Sequence, residues 1–362
     1  MLQYGRRISE RRFSGTAGEF IYGLPIFISG ASMKKEKNPS VKIKSNKKHY
    51  IPIDEQIAKL KRDGLQIPDE KRAQLRLKWE GYFNFAVGYN RLFKDDKKRY
   101  FNAVTFEHIE ALYDFDKHLR AIAYEYAQSV ECTIKALVSD LFSRRYGVDE
   151  KTYLSAENFS VAPADAPNVN WVISTCKRTL EEAVRKDTNS YRDYIAYTHS
   201  TYKHVPFWAL IRALSFGNVS KFLKVMKRED RAEIAREYGL SGNTLCNMLE
   251  IAVCFRNIAA HGERMYCASL SATRLTDKLS VFYKLQIPRS SDGSYRYGRR
   301  DFMSFLITLK YLLPAAEFSR CMQRVVEEVE TLERSIPSFA MQRVYAQSGL
   351  LGSWKKLDKI RK

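Results

Sequence analysis

The chain has few of the features that mark membrane, secreted or zinc-binding proteins. No apolar run approaches the roughly 18–20 residues that a membrane span needs. The six cysteines are scattered, without a CxxC pair or a cluster with histidine, which argues against a zinc site and against a disulfide framework. Because this cysteine usage fits a reducing compartment, we expect a cytoplasmic protein that has no membrane partner.

Acidic residues are also in deficit. The 362 residues include 61 Lys and Arg but only 41 Asp and Glu, which leaves a formal net charge of +20. Solubility needs a net charge of only about 2–8 in a small domain, so the excess favours a polyanionic partner, either nucleic acid or an anionic membrane surface. Since 45% of the residues are hydrophobic and 13% aromatic, the composition is that of a globular protein. We favour a globular protein that binds nucleic acid.

The N-terminus superficially resembles a secretory signal. Four arginines precede the apolar segment 20–28 (FIYGLPIFI) and a stretch of small residues. However, the apolar segment is short and is interrupted by Gly23 and Pro25, and Met33 with the two lysines after it resembles an ordinary translation start. We therefore favour an alternative start over a targeting signal, which leaves open whether residues 1–32 are translated.

Helical periodicity dominates the remainder of the chain. Over residues 105 to about 145, apolar side chains recur at spacings of three and four, which is typical of a long helix with one buried face. Neither alternating strands nor a repeat of 20–50 residues is visible, so the predicted fold class is all-α. Other helices are predicted at 54–63, 68–79, 171–186, 207–216, 219–226, 230–238, 243–261, 301–313 and 315–334. The Tyr- and His-rich segment 190–206 is predicted to be a connector, and Gly217-Asn218 to break the helical pattern.

Charge and composition divide the chain into three parts. Residues 1–48 include a Lys-rich arm at 34–48 and are predicted to be a basic, disordered segment. A single all-α domain is expected over 49–335. Residues 336–362 are expected to form a basic C-terminal tail. Its last cations, Lys355, Lys356, Lys359, Arg361 and Lys362, are expected to be solvated and to add long-range attraction to RNA.

One predicted helix carries a group of polar side chains at its end. Arg256, Asn257, His261 and Arg264 follow an apolar run that reads as buried, where unpaired polar groups cost several kcal/mol. By the helical period, Asn257, His261 and Arg264 share one face at i, i+4 and i+7, with Arg256 about 100° away. Gly262 is positioned to loosen or end the helix just after the histidine.

These four side chains have the chemistry needed to cut RNA through its 2′-hydroxyl group. Histidine can transfer protons near neutrality, arginine matches a phosphate in bidentate geometry, and asparagine can orient either group or a sugar hydroxyl. One helix supplies one histidine, whereas a symmetric homodimer would supply both an acid and a base. No metal or other cofactor is required.

A structural role for the same residues is an equal alternative on the motif alone. Arg256 could pair with Glu250 or Asp116 while His261 caps the helix. The bare spacing is a weak signal, because Arg192 and His199 show a similar one in a polar connector.

Two other charged groups have structural and functional alternatives. Asp114, Asp116 and Arg120 lie near the buried face of the long helix, and we favour an ion-pair network that braces the bundle over a role in positioning the site. Cations interleaved with tyrosines are typical of proteins that bind single-stranded RNA, although a solvated loop is equally compatible. The cations of that segment are Arg289, Arg296, Arg299 and Arg300.

Five segments of the chain together resemble a known family. They are 54–65 (DEQIAKLKRDGL), 81–89 (GYFNFAVGY), 105–120 (TFEHIEALYDFDKHLR), 205–219 (VPFWALIRALSFGNV) and 255–266 (FRNIAAHGERMY). In this order they resemble the Abi-like (AbiD/AbiF) abortive-infection proteins of bacteria, whose C-terminal part is similar to the HEPN all-α ribonuclease domain.

The resemblance implies a fold and a site. It implies a HEPN-like helical bundle with additional N-terminal helices, and it places the family's site residues at Arg256, Asn257, His261 and Arg264. Cys267 stands where family members usually have asparagine, so any role of that asparagine is absent or changed. Some members of the family lie beside a small non-coding RNA.

We therefore predict a metal-independent, dimeric endoribonuclease that acts in phage defence or as a toxin. Its expected partners are substrate RNA and a restraining antitoxin, which could be a non-coding RNA or a protein. The alternative is a non-catalytic RNA-binding scaffold in which the Arg and His residues brace the fold. A DNA-binding regulator has less support, because no helix-turn-helix signature stands out, and no DNA partner is expected.

Overall fold

A computed structural model describes residues 49–185 and 193–360, and in these residues the protein is all-α. Helices account for 70% of them and no strand is present, which confirms the predicted fold class. The α-helices are α1 (Ile53–Arg62), α2 (Glu70–Glu80), α3 (Phe106–Tyr146), α4 (Glu150–Tyr153), α5 (Ala166–Arg185), α6 (Asp193–Tyr202), α7 (Phe207–Ala213), α8 (Phe216–Val225), α9 (Arg228–Arg236), α10 (Gly242–Ala260), α11 (Ser280–Lys284), α12 (Phe302–Leu312), α13 (Ala315–Ser335) and α14 (Ser338–Ser348). A π-helical turn spans Phe83–Val87, and 3₁₀ turns span Asn90–Phe93, Ala156–Asn158, Pro163–Asp165 and Trp354–Lys359.

The long helix α3 runs through the centre of the bundle. Its 41 residues span about 60 Å at 1.5 Å per residue. It begins where the Thr105 N–H donates to Nδ1 of His108 at 3.0 Å, and Gly147, at φ +78°, lies just beyond its end. Helices α7, α8, α9, α10, α12 and α13 all pack against it. The prediction of one helix over about 105–145 is confirmed, because its apolar spacing is the spacing of this buried face.

Helix α10 is enclosed along most of its length and open at its C-terminal end. It packs against α3, α8, α9 and α12, which bury Leu245, Leu249, Ala252 and Phe255 completely. Beyond Phe255 the environment changes, since Asn257 is exposed. The helix therefore carries the polar end of its sequence from the core of the bundle to the surface.

Two sequence predictions about the middle of the chain are wrong. Gly217 lies inside α8, and the break falls earlier, at Ser215, whose hydroxyl accepts the Asn218 N–H at 3.2 Å and so caps the helix. Part of the predicted connector 190–206 forms α6, where Ile195 is buried against α5 and α7. Polar and aromatic composition concealed this helix because only one of its side chains is fully buried.

The prediction that the domain ends at residue 335 and is followed by a tail is also wrong for the described part of residues 336–362, although Lys355, Lys356 and Lys359 are exposed there as predicted. Helix α14 packs against α13 and the turn Asn90–Phe93, and Trp354 and Leu357 of the final 3₁₀ turn are buried. The ε-ammonium of Lys355 pairs with Glu330 of α13 at 2.7 Å. The charge of this segment was visible in the sequence, but its apolar side chains complete the core. The predicted Lys-rich arm at 34–48 and residues 1–32 lie outside the described residues.

Candidate functional site

The polar end of α10 is shaped by a turn at Gly262. The Gly262 N–H donates to the Ala259 carbonyl and the Glu263 N–H to the Ile258 carbonyl, a paired arrangement that requires left-handed backbone at the glycine, here at φ +69°. The helix therefore ends with His261 as its capping residue, and that side chain is exposed. Gly262 ends the helix, and the prediction that Arg264 continues the same face at i+7 is wrong.

Arg256 lies half-buried on the flank of α10. Its guanidinium carbon lies 5.8 Å from the ring centroid of Phe216, and its Nε is buried with no hydrogen-bond partner in the described part of the chain. The two acids that sequence suggested as partners are engaged elsewhere. Glu250 pairs with Lys224 at 2.6 Å, and Asp116 pairs with Arg120 at 2.6 Å. The charge of Arg256 is thus held against an aromatic face and not by either carboxylate.

Asp116 holds the chain that follows the motif. This carboxylate is fully buried in α3 and accepts hydrogen bonds from the backbone N–H groups of Met265 (3.0 Å) and Tyr266 (2.7 Å). The hydroxyl of Tyr89 donates to it at 2.7 Å and in turn accepts from Arg120 at 3.0 Å. Burial raises the pKa of Asp116, and these donors oppose the rise. Because each backbone N–H can only donate, the arrangement suits an ionised carboxylate.

Arg264 is anchored to a different part of the fold. Its guanidinium donates to the carbonyl of Gly88 at 2.6 Å, between the π-helical turn and the turn Asn90–Phe93. The structure thus brings together four of the five segments that carry the family resemblance: Gly88 and Tyr89 from 81–89, Asp116 and Arg120 from 105–120, Phe216 from 205–219, and the motif itself. The fifth segment, 54–65, lies in and after α1, which packs on α2.

The region that contains these contacts also matches a known protein family. The model of a family described as Abi-like protein matches residues 76–267, which is more than half of the chain. The chain belongs to the Abi-like protein family. No curated protein and no solved structure matches it. Membership of the Abi-like family suggests a role in abortive infection, which is a defence against phage.

A second ion-pair network of this Abi-like protein joins α2 to α3. Arg76 pairs with Asp114, and its guanidinium lies 5.3 Å from the ring centroid of Tyr113. Glu110 is buried, which raises its pKa, and it pairs with Arg72 at 2.8 Å. Asp114 therefore braces the outer helices, whereas Asp116 holds the backbone next to the motif and Arg120 pairs with Asp116.

The predicted RNA-binding arginines occupy different environments. The Arg299 Nε donates to the Leu275 carbonyl at 2.9 Å, and Arg300 donates to the carbonyls of Leu270 and Ser271, so both guanidinium groups hold the loop in place. Arg289 stacks on the Tyr295 ring at 4.1 Å. Arg296 is exposed. None of the four forms a hydrogen bond with the described side chains of Arg256, Asn257 or Arg264.

Sequence reasoning missed three groups that position the motif. These are the hydroxyl of Tyr89, the carbonyl of Gly88 and the ring of Phe216. The first two lie in a segment rich in aromatic residues and glycine, whose only sequence signal was its part in the family resemblance. Phe216 resembled an ordinary core residue, and only its position beneath Arg256 distinguishes it.

The described residues contain neither a cluster of metal-ligating side chains nor a membrane-spanning helix. No group of three or more His, Cys, Asp or Glu side chains lies close enough together there to hold a metal ion. No helix in residues 49–185 or 193–360 is both long and apolar enough to cross a membrane.

Proposed function

We propose that this Abi-like protein is a HEPN-type endoribonuclease of a phage-defence or toxin–antitoxin system, and that it cuts RNA by attack of the 2′-hydroxyl group. The observation that carries the proposal is the end of α10. There, the guanidinium of Arg256 forms no ion pair with Glu250 or Asp116. Exposed Asn257 follows it, and exposed His261 lies one helical turn beyond Asn257. The positive charge of Arg256 is therefore available to a phosphate.

Each side chain has a role in the proposed reaction. His261 transfers a proton, either from the attacking 2′-hydroxyl or to the departing 5′-oxygen, which typically contributes 10²–10⁴-fold. Arg256 stabilises the charge that develops on the phosphorane. Asn257 orients the phosphate or a sugar hydroxyl, and Arg264 supplies a second positive charge. The bond between phosphorus and the 5′-oxygen breaks as the bond to the 2′-oxygen forms, which leaves a 2′,3′-cyclic phosphate and a 5′-hydroxyl end.

The proposed reaction needs two proton-transfer groups, and each chain contributes one histidine at this position. A homodimer with its α10 ends facing each other across a twofold axis would provide both. Two copies of Arg256 would then flank one scissile phosphate. The proposed partners are substrate RNA and an antitoxin, RNA or protein, that blocks the cleft or separates the subunits in the resting state.

Growth arrest and RNA cleavage test this function together. His261→Ala should abolish both at equal protein level while the circular dichroism spectrum is unchanged. His204→Ala is the control, because half-buried His204 makes local contacts with Tyr202, to whose carbonyl its Nδ1 lies at 2.9 Å. Cleavage products should carry 2′,3′-cyclic phosphates and form in excess chelator. Arrest that persists in His261→Ala would favour the RNA-binding scaffold instead.

The composite site has its own test. Mixing wild-type protein with an excess of His261→Ala protein should depress cleavage by more than dilution alone, since most wild-type subunits would then sit in mixed dimers. Activity strictly proportional to the wild-type fraction, or cleavage by a monomer, would rule out a shared site.

A further inference from the structure

A cleft of about 680 Å³ opens beside the anchored side chain of Arg264. One wall is formed by the end of the π-helical turn and the loop that follows it, and the other by α14. Its lining includes five cations, Arg91, Lys94, Lys98, Arg264 and Arg343, and two carboxylates, Asp95 and Asp96. A cleft of this size is within the usual range for ligand sites.

Two of these cations are fixed in place without being neutralised. Arg264 donates to the Gly88 carbonyl at 2.6 Å, and Arg343 donates to the carbonyls of Leu92 (2.7 Å) and Lys94 (3.2 Å). A backbone carbonyl orients a guanidinium but leaves its net charge uncancelled, and most of its five N–H donors remain available. Such a group is prepared to bind a phosphate in bidentate geometry.

The other charges of the cleft leave an excess of positive charge. Lys94 is balanced by Asp63 at 3.0 Å. Asp95, which accepts the Arg99 N–H at 2.9 Å within its own turn, and Asp96 keep their negative charges, and the four other cations of the lining outnumber these two carboxylates. The side chains of Arg91 and Lys98 are exposed and have no ion-pair partner in the described part of the chain. An anion entering the cleft would therefore meet two oriented and two free cations.

Exposed aromatic rings precede the cleft along the chain. Trp79 is 76% exposed and Phe83 is 75% exposed, and the π-helical turn that begins at Phe83 ends at Val87, in the lining of the cleft. Large apolar side chains exposed to this degree mark interaction surfaces when they lie together. On surfaces that bind single-stranded nucleic acid, bases stack on exposed aromatic rings while phosphates contact cations.

We propose that this cleft binds the backbone phosphates of single-stranded RNA and, through Arg264, leads the strand to the end of α10. The proposal rests on the proposed ribonuclease function for its direction, but binding in the cleft can be measured without cleavage. Arg91 and Lys98 are the residues that would confer affinity, and Arg343 would orient a phosphate.

The test uses the full chain with His261→Ala, so that the RNA stays intact, and a fluorescent 20-nucleotide oligouridylate. Arg91→Gln with Lys98→Gln should weaken binding about 25-fold in 0.1 M salt, since each phosphate contact on a single strand contributes a log–log salt slope of about 0.7. The slope itself should become shallower by about 1.4. Arg91→Gln alone should give half of that change in slope, and neither variant should alter thermal unfolding, because neither side chain holds the fold.

The matched control is Lys177→Gln with Arg178→Gln on α5. It removes the same two kinds of charge from an exposed helical surface that has no part in the cleft. Weakening confined to the cleft variant supports the proposal. Equal weakening in both variants would show that net charge alone attracts RNA, and unchanged binding of the cleft variant would show that RNA lies elsewhere; either result overturns it. If the cleft variant loses binding while wild-type protein leaves RNA uncut, the cleft stands and the ribonuclease function fails.

Discussion

Asp116→Asn should destabilise the protein strongly, although it changes the size of the side chain very little. The carboxylate is fully buried and accepts from Tyr89, Arg120 and the backbone N–H groups of Met265 and Tyr266. In asparagine an NH₂ group replaces one of the two carboxylate oxygens. That group presents N–H donors to neighbours that are themselves donors. The substitution also leaves the guanidinium of Arg120, largely buried, without a counter-charge.

Breaking a buried ion pair by removing one partner costs about 3–5 kcal/mol. That loss is a large part of the roughly 5–15 kcal/mol by which most domains are stable. Asp114→Asn is the control on the same helix. Asp114 also pairs with an arginine, but its side chain is 44% exposed, so the expected loss is about 1 kcal/mol or less.

Urea unfolding followed by circular dichroism would give both free energies of unfolding, and hydrogen exchange would follow the amides of Met265 and Tyr266. We expect both amides to lose protection in Asp116→Asn and to keep it in Asp114→Asn. If the two variants differ by less than 1 kcal/mol, Asp116 is not an ionised anchor for the chain after the motif. The reasoning about that network would then be refuted.

Three further predictions concern the helix ends and the motif. In thermal unfolding, Gly349→Ala should lower the free energy of unfolding by about 2–5 kcal/mol and Gly262→Ala by only about 1–2 kcal/mol. Both glycines have positive φ, but only at Gly349 would the new Cβ lie 2.6 Å from the Asp301 carboxyl carbon. Equal losses would contradict this reasoning. Burial raises the pKa of Asp301 to about 6, so the folded state binds this proton more tightly than the unfolded state does. The resulting contribution to the free energy of unfolding, about 3 kcal/mol, is present below pH 4 and lost as pH rises through 6. Asp301→Asn should flatten that fall in stability, whereas parallel pH profiles for the variant and the wild type would disprove it. Arg256→Lys should lower the rate of RNA cleavage about 10²–10³-fold at unchanged thermal stability, since the positive charge remains but the bidentate geometry is lost. An unchanged rate in single-turnover assays would argue against stabilisation of the phosphate by Arg256.

Helix positions were largely predictable because helical periodicity is a local property. The apolar spacing over 105–145 gave α3 nearly to its ends, and Gly64 and Gly147 mark the ends of α1 and α3 as glycine after a helix usually does. The errors fell where the deciding interaction is specific. Ser215 caps α8 ahead of Gly217, and the helices near the C-terminus bury side chains that a basic composition concealed.

The sequence by itself determined that the protein is helical and strongly basic, and that one buried helix ends in Arg256, Asn257 and His261. The number of charges and the spacing of apolar residues are properties of the sequence, so they do not depend on which residues meet in the fold. The tertiary structure alone decided which groups meet. Asp116 holds the backbone of Met265, Phe216 underlies Arg256, and Gly88 fixes Arg264, although all three pairs are distant in sequence. Burial, hydrogen bonding and the choice of ion-pair partner depend on these long-range contacts, which local sequence patterns do not predict.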